Sequence, residues 1–147
     1  MLASTTQLNT PGMQLAELEG VHALTDVTGF GLLGHLLEIC RGSSLGAAID
    51  FDRVPVFSEA KQLCMQGIAP GAVERNWASF GEEVAIDGAI LEWQRKMLCD
   101  PQTSGGLLVA CAPEAESEVL ELFRTSGFDH ARKIGRLVEG EARIKVG

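Results

Sequence analysis

The eleven residues from Thr25 to His35, T-D-V-T-G-F-G-L-L-G-H, constrain this chain more than any other stretch. Gly29, Gly31 and Gly34 stand in the spacing G-x-G-x-x-G, and beyond them Leu32, Leu33, Leu36, Leu37 and Cys40 recur at helical spacing. The segment therefore predicts a strand over 21–27, a tight glycine turn, and an amphipathic helix closed by Gly42, with Thr28 as its N-cap. A phosphate-cradling turn fits that order. Asp26, however, places a negative charge immediately ahead of it.

Three readings compete for this segment. A dinucleotide-binding turn has some support, because Asp50 lies 21 residues beyond Gly29, where a ribose-binding acid would sit. Against it, His22, Thr25 and Asp26 make the preceding strand polar, whereas the first strand of such a fold is buried on both faces. No series of βαβ units follows, and an isolated G-x-G-x-x-G is weak evidence. A second reading makes Asp26 a ligand of Mg²⁺, which favours carboxylates together with phosphate oxygens. The cation then lies between the acid and the phosphates, and the glycines let backbone approach the ligand. The third reading has Asp26 or Thr28 capping the helix and Gly34 allowing close helix packing. From the residues alone, capping is the simplest of the three.

Charge narrows the partners. The chain carries 20 acidic against 12 basic residues, a net charge of −8, with no basic stripe or tail, which excludes nucleic acid as an expected partner. A phosphate ligand meets a surface of its own sign and needs a metal ion or basic residues from outside this chain. The length of 147 residues predicts one domain. No apolar run approaches a membrane span, and the N-terminus lacks the character of a signal peptide. Cys40, Cys64, Cys99 and Cys111 are widely spaced with no C-x-x-C, which predicts reduced, buried thiols in a cytoplasmic protein.

Along the rest of the chain, Pro11-Gly12 reads as a breaker in a linker, and Ala47–Phe51 as a short strand. Ser58 is expected to cap a helix ended by Gly67, and a short helix follows Pro70-Gly71. Asp87 is expected to cap a helix carrying Trp93, Met97 and Leu98. Pro113 opens a helix with Val119, Leu120, Leu122 and Phe123 inward, ended by Gly127. A-R-K-I-G-R-L-V and A-R-I-K-V, joined by a tight turn, predict a terminal hairpin. Mixed short strands and helices favour an α+β domain.

A second polar concentration, C-D-P-Q-T-S-G-G from Cys99 to Gly106, runs directly into the strand L-L-V-A-C-A. Such a turn binds a ligand or simply joins a helix to a strand. In E-R-N, Glu74 to Asn76, Arg75 is able to reach an anion, although a surface ion pair is the commoner fate. His35 and Glu38 share a helix face at i, i+3, with no third metal ligand evident.

Together, T-D-V-T-G-F-G-L-L-G-H-L, P-G-A-V-E-R-N and C-D-P-Q-T-S-G-G-L-L, in this order and at these separations, resemble selenophosphate synthetase (selenide, water dikinase). Q-L-N-T-P-G resembles that family's entry into its C-terminal domain, and the wider group containing aminoimidazole ribonucleotide synthetase shares the domain type. The resemblance covers the C-terminal domain from about Leu8 onward. It implies an α+β fold, a mixed β-sheet with packed helices of the aminoimidazole ribonucleotide synthetase C-terminal type. It also implies a share in converting selenide, ATP and water to selenophosphate, AMP and phosphate.

ATP is the family's substrate, with Mg²⁺ held by aspartates that come mostly from an N-terminal domain. Asp26 matches the one aspartate from the C-terminal domain. Thr28, Gly29, Gly31, Asp100, Gln102, Thr103, Ser104 and Gly105 are then expected to line the nucleotide cleft. The family's nucleophilic cysteine or selenocysteine and its lysine belong to the N-terminal domain. No residue here matches them, so no catalytic residue is expected in this chain, which alone is expected to be inactive. Residues 1–14 are expected as the remnant of an inter-domain segment and 15–147 as the C-terminal domain. The expected partners are the missing N-terminal domain and a second copy in a homodimer. The alternative class is a stand-alone binding or interaction domain, or the C-terminal domain of a related ATP-dependent synthetase.

Overall fold

An antiparallel ribbon of two strands, β1 (Val21–Asp26) and β4 (Leu107–Cys111), divides the apolar interior in two. In the computed structural model, which describes residues 5–147, Leu107, Val109 and Cys111 face one cluster while Leu108 and Ala110 face the other. That alternation is the two-residue period of a strand. On β1 the period is broken by a bulge between Val21 and Ala23, so Val21 and Leu24 share a face although three residues apart. Because both faces are covered, the ribbon ends are where its polar residues reach the surface.

The smaller cluster packs Leu15 against Val119 and Phe123. It joins α1 (Pro11–Glu17) to α6 (Glu116–Thr125). Pro11 is therefore the first residue of a helix, not a breaker. Its fixed φ and missing N–H cost nothing at that position, and its buried ring helps anchor α1. The larger cluster is built on α2 (Gly31–Ser43), whose Leu33, Leu37 and Cys40 are almost wholly buried. Gly42 lies within α2. The helix ends at Ser44, which takes a left-handed φ of 55° and returns its N–H to Arg41.

Packed on the same cluster is a four-stranded mixed sheet in the order β3-β6-β2-β5. Its strands are β2 (Gly46–Ile49), β3 (Val84–Ile86), β5 (Gly135–Val138) and β6 (Ile144–Val146). The expected terminal hairpin is not formed. β2 lies between β5 and β6, antiparallel to one and parallel to the other. Both edges of this short apolar strand are thus hydrogen-bonded, which the turn between β5 and β6 alone does not achieve. β3 carries only V-A-I, too short for any periodic signal, and becomes a strand by pairing with β6.

Three helices close the larger cluster: α3 (Ser58–Met65), α4 (Ala72–Phe80) and α5 (Glu92–Leu98). Two expected caps differ. Ser58 is the first helical residue, and its hydroxyl donates to Glu59. Asp87 accepts from the Ala89 N–H at 2.9 Å instead of capping α5, where the Gln94 side chain returns to the Leu91 N–H at 2.7 Å. Among the described residues no helix is long and apolar enough to cross a membrane.

Candidate functional site

Asp26 is the last residue of β1 and pairs in register with Leu107, the first of β4. The ribbon therefore delivers two turns to one place, residues 27–30 leading into α2 and residues 99–106 leading out of α5. Backbone bonds join them. The Val27 N–H donates to Gly106 O at 2.9 Å, the Gly105 N–H to Val27 O at 3.2 Å, and the Gln102 N–H to Thr28 O at 3.0 Å. Gly31, at φ +69°, sits so close that a β-carbon there would lie 2.7 Å from the Cys99 carbonyl carbon. Gly105 is equally tight, with 2.5 Å from a β-carbon to Val27 O.

The structure thus brings Asp26, Thr28, Gly29, Gly31, Asp100, Gln102 and Gly105 into one ensemble, with Thr103 and Ser104 exposed at the tip of the second turn. The capping reading fails. Phe30 occupies the N-cap position of α2 with no side-chain cap. The Thr28 hydroxyl pairs instead with His35 Nε2 at 3.1 Å, and the exposed Asp26 carboxylate meets no partner among the described residues. The dinucleotide reading fails as well. The strand ahead of the turn runs antiparallel to its neighbour, and Asp50 caps a short turn through the Asp52 N–H and pairs with Arg53. Gly34 faces Phe30 and Phe80 with no room for a side chain, a packing role.

The orientation of the first turn follows from where its carbonyls go. Val27 O, Thr28 O and Gly29 O all accept from protein donors. In a trans peptide the C=O and the following N–H point in opposite directions. The N–H groups of Thr28, Gly29 and Phe30 therefore point away from those donors, and among the described residues no acceptor meets them. Three unpaired donors beside an unpaired carboxylate can take a phosphate and, between it and the acid, a cation. Among the described residues no three acids, histidines or cysteines converge as a metal site.

One residue that sequence reasoning did not assign completes the ensemble. Asn76, on the buried face of α4 between Val73 and Phe80, donates to Gly29 O at 2.8 Å and to Cys99 O at 3.0 Å. Its signal was present in E-R-N: a polar residue inside an apolar helical stripe. Arg75 is exposed and makes no ion pair among the described residues, while Glu74 pairs with Arg95 and Lys96. His35 is buried on α2, with Nδ1 3.3 Å from Glu38 but off hydrogen-bond geometry. Burial pushes the Asp100 carboxyl above the ordinary range and the Cys99 thiol up to about 12, which leaves Cys99 an inert thiol.

Selenide, water dikinase of Dechloromonas aromatica (strain RCB) is 53% identical over 146 residues, 99% of this chain and 42% of that protein. The chain thus spans about two-fifths of the length of the relatives it matches. Among solved structures, E. coli HypE, a hydrogenase maturation protein, superposes with a TM-score of 0.61 at 23% identity, over 97% of this chain and 37% of that one. HypE in complex with ATP gives 0.56 at 19% identity, over 88% and 33%. These structures share the fold. Residues 8–147 match the family described as AIR synthase related protein, C-terminal domain, and the chain belongs to that family.

Proposed function

We propose that this chain is the C-terminal part of an enzyme that makes selenophosphate from selenide, ATP and water, releasing AMP and phosphate. Its two turns form one wall of the Mg-ATP cleft. The observation that carries this reading is the unpartnered Asp26 carboxylate beside the three unpaired N–H groups of Thr28, Gly29 and Phe30. The 53% identity to a selenide, water dikinase supports it, as does the shared fold of HypE solved with ATP. Asp26 would hold Mg²⁺, which would supply neutralisation of the phosphate charge there. The N–H groups of the first turn bind phosphate oxygens, Gly31 and Gly105 keep the two turns in contact, and Asp100, Gln102, Thr103 and Ser104 form the facing rim.

The remaining acids, the nucleophile and the lysine come from an N-terminal domain of the same protein. Selenide and ATP are the substrates, and the parent protein is a cytoplasmic homodimer. The residues ahead of α1 serve as the link between domains, and the C-terminal domain begins with α1 at Pro11, earlier than the expected boundary at 15. Residues 1–4 lie outside the described residues, and Pro11–Gln14 already belong to α1.

The test is Asp26→Asn in the full-length protein, followed by phosphorus NMR with selenide and Mg-ATP. Turnover falls by about 100-fold or more, as expected for loss of a metal ligand, while unfolding free energy stays within about 1 kcal/mol of wild type. Near-normal turnover in this variant overturns the role of Asp26. This chain by itself yields no selenide-dependent AMP, and clear selenophosphate formation by it overturns the division of labour proposed here.

A further inference from the structure

Asn76 is the one side chain among the described residues that hydrogen-bonds to the backbone of both turns. It is 8% exposed, and its helix is fixed in the larger cluster by Val73 and Phe80, each more than nine-tenths buried. Its amide nitrogen has two hydrogens, and both are used, one on Gly29 O at 2.8 Å and one on Cys99 O at 3.0 Å. The other links between the turns are backbone bonds involving Val27, Thr28, Gln102, Gly105 and Gly106. Asn76 closes the opposite side, where the first turn enters α2 and the second leaves α5.

Two consequences follow. Holding Gly29 O inward fixes the plane of the Gly29–Phe30 peptide, and with it the direction of the Phe30 N–H. Holding Cys99 O on the same nitrogen sets the distance between that peptide and the second turn. The Cys99 carbonyl cannot be left alone cheaply, because Cys99 is wholly buried and its bond to Asn76 lies in the interior. We propose that Asn76 is a positioning residue for nucleotide binding: it sets the spacing of the two turns and aims the N–H donors of the first turn at the phosphates. This rests on the reading that those donors face ATP.

A purely structural role and a positioning role separate in the kinetics. Loss of folded protein lowers the concentration of active enzyme and leaves KM unchanged, whereas misaimed donors raise KM for ATP. In the full-length protein, Asn76→Ala is expected to raise the ATP KM about tenfold or more and to leave the selenide KM unaltered. Asn76→Ser keeps one short donor and is expected to fall between Ala and wild type; it serves if the Ala variant does not fold. An unchanged ATP KM in either folded variant overturns the inference.

A second measurement does not depend on turnover. Amide exchange in this chain is expected to lose protection at the Gln102 and Gly105 N–H groups in Asn76→Ala, by about tenfold or more, with Ile144–Val146 unaffected. If the wild-type full-length protein makes no selenophosphate, the functional reading falls and exchange decides the clamp. Loss of protection confined to the two turns upholds it, and unchanged protection at Gln102 and Gly105 overturns it.

Discussion

In the turn that leads into α2, Gly31 carries both the left-handed φ of +69° and the close approach to the neighbouring turn, while Gly29 carries neither. In the turn that leads into β4 the two duties are divided. Gly105 makes the close approach, to Val27 O, and Gly106 takes the left-handed φ of +81° with open space around it. A side chain is thus forbidden twice at 31, once at 105 by contact and once at 106 by conformation. At 29 the fold sets no demand for glycine at all. The contrast separates glycines that build the site from the one whose openness only an approaching ligand would use.

Alanine substitutions turn this contrast into a ranking that urea unfolding of the chain can break. Gly31→Ala has the largest expected effect, about 2–4 kcal/mol destabilising, from the left-handed penalty together with overpacking against the Cys99 carbonyl. Gly105→Ala follows at about 1–3 kcal/mol, from overpacking alone. Gly29→Ala is expected to be neutral or to stabilise by up to about 1 kcal/mol, because the unfolded chain loses freedom and the folded one loses nothing. In the full-length protein the same Gly29 change should nevertheless weaken ATP binding. A Gly29→Ala variant as unstable as Gly31→Ala would show that both glycines serve the fold.

The smallest effect sharpens the second turn. Burial raises the Asp100 carboxyl above its ordinary value. The folded chain then holds that proton more tightly than the unfolded chain. The stability this brings is complete below the unfolded pKa, about 3.9, and is lost as pH rises through the raised folded value. Asp100→Asn removes the dependence. Its melting temperature relative to wild type should therefore be higher at pH 7 than at pH 4. Equal differences at both pH values would mean that the ionised Asp100 carries no burial penalty.

Several elements could be read from residues alone because their signals are local. The helix over Gly31–Ser43 follows from Leu32, Leu33, Leu36, Leu37 and Cys40, and the strand at Leu107 from the apolar run after Gly105-Gly106. The polar turns around Asp26 and Asp100 were legible for the same reason. Caps were less so: Thr28, Ser58 and Asp87 all have capping chemistry, but Thr28 and Ser58 pair with side chains and Asp87 closes a turn of its own. A capping residue acts only if the backbone turns toward it, and tertiary contacts decide that turn.

The amino-acid sequence by itself determined the α+β mixture, the positions of the two glycine turns, and the motifs that mark the AIR synthase related family. These depend on period, on residue chemistry and on order along the chain. Tertiary structure alone decided that β2 separates β5 from β6, that V-A-I at 84–86 is a strand, and that Asn76 bridges turns 47 and 23 residues away. Each is a pairing between distant segments whose short stretches carry no periodic signal. Such pairings form because buried carbonyls and strand edges must find donors somewhere in the fold, and a linear sequence does not say where.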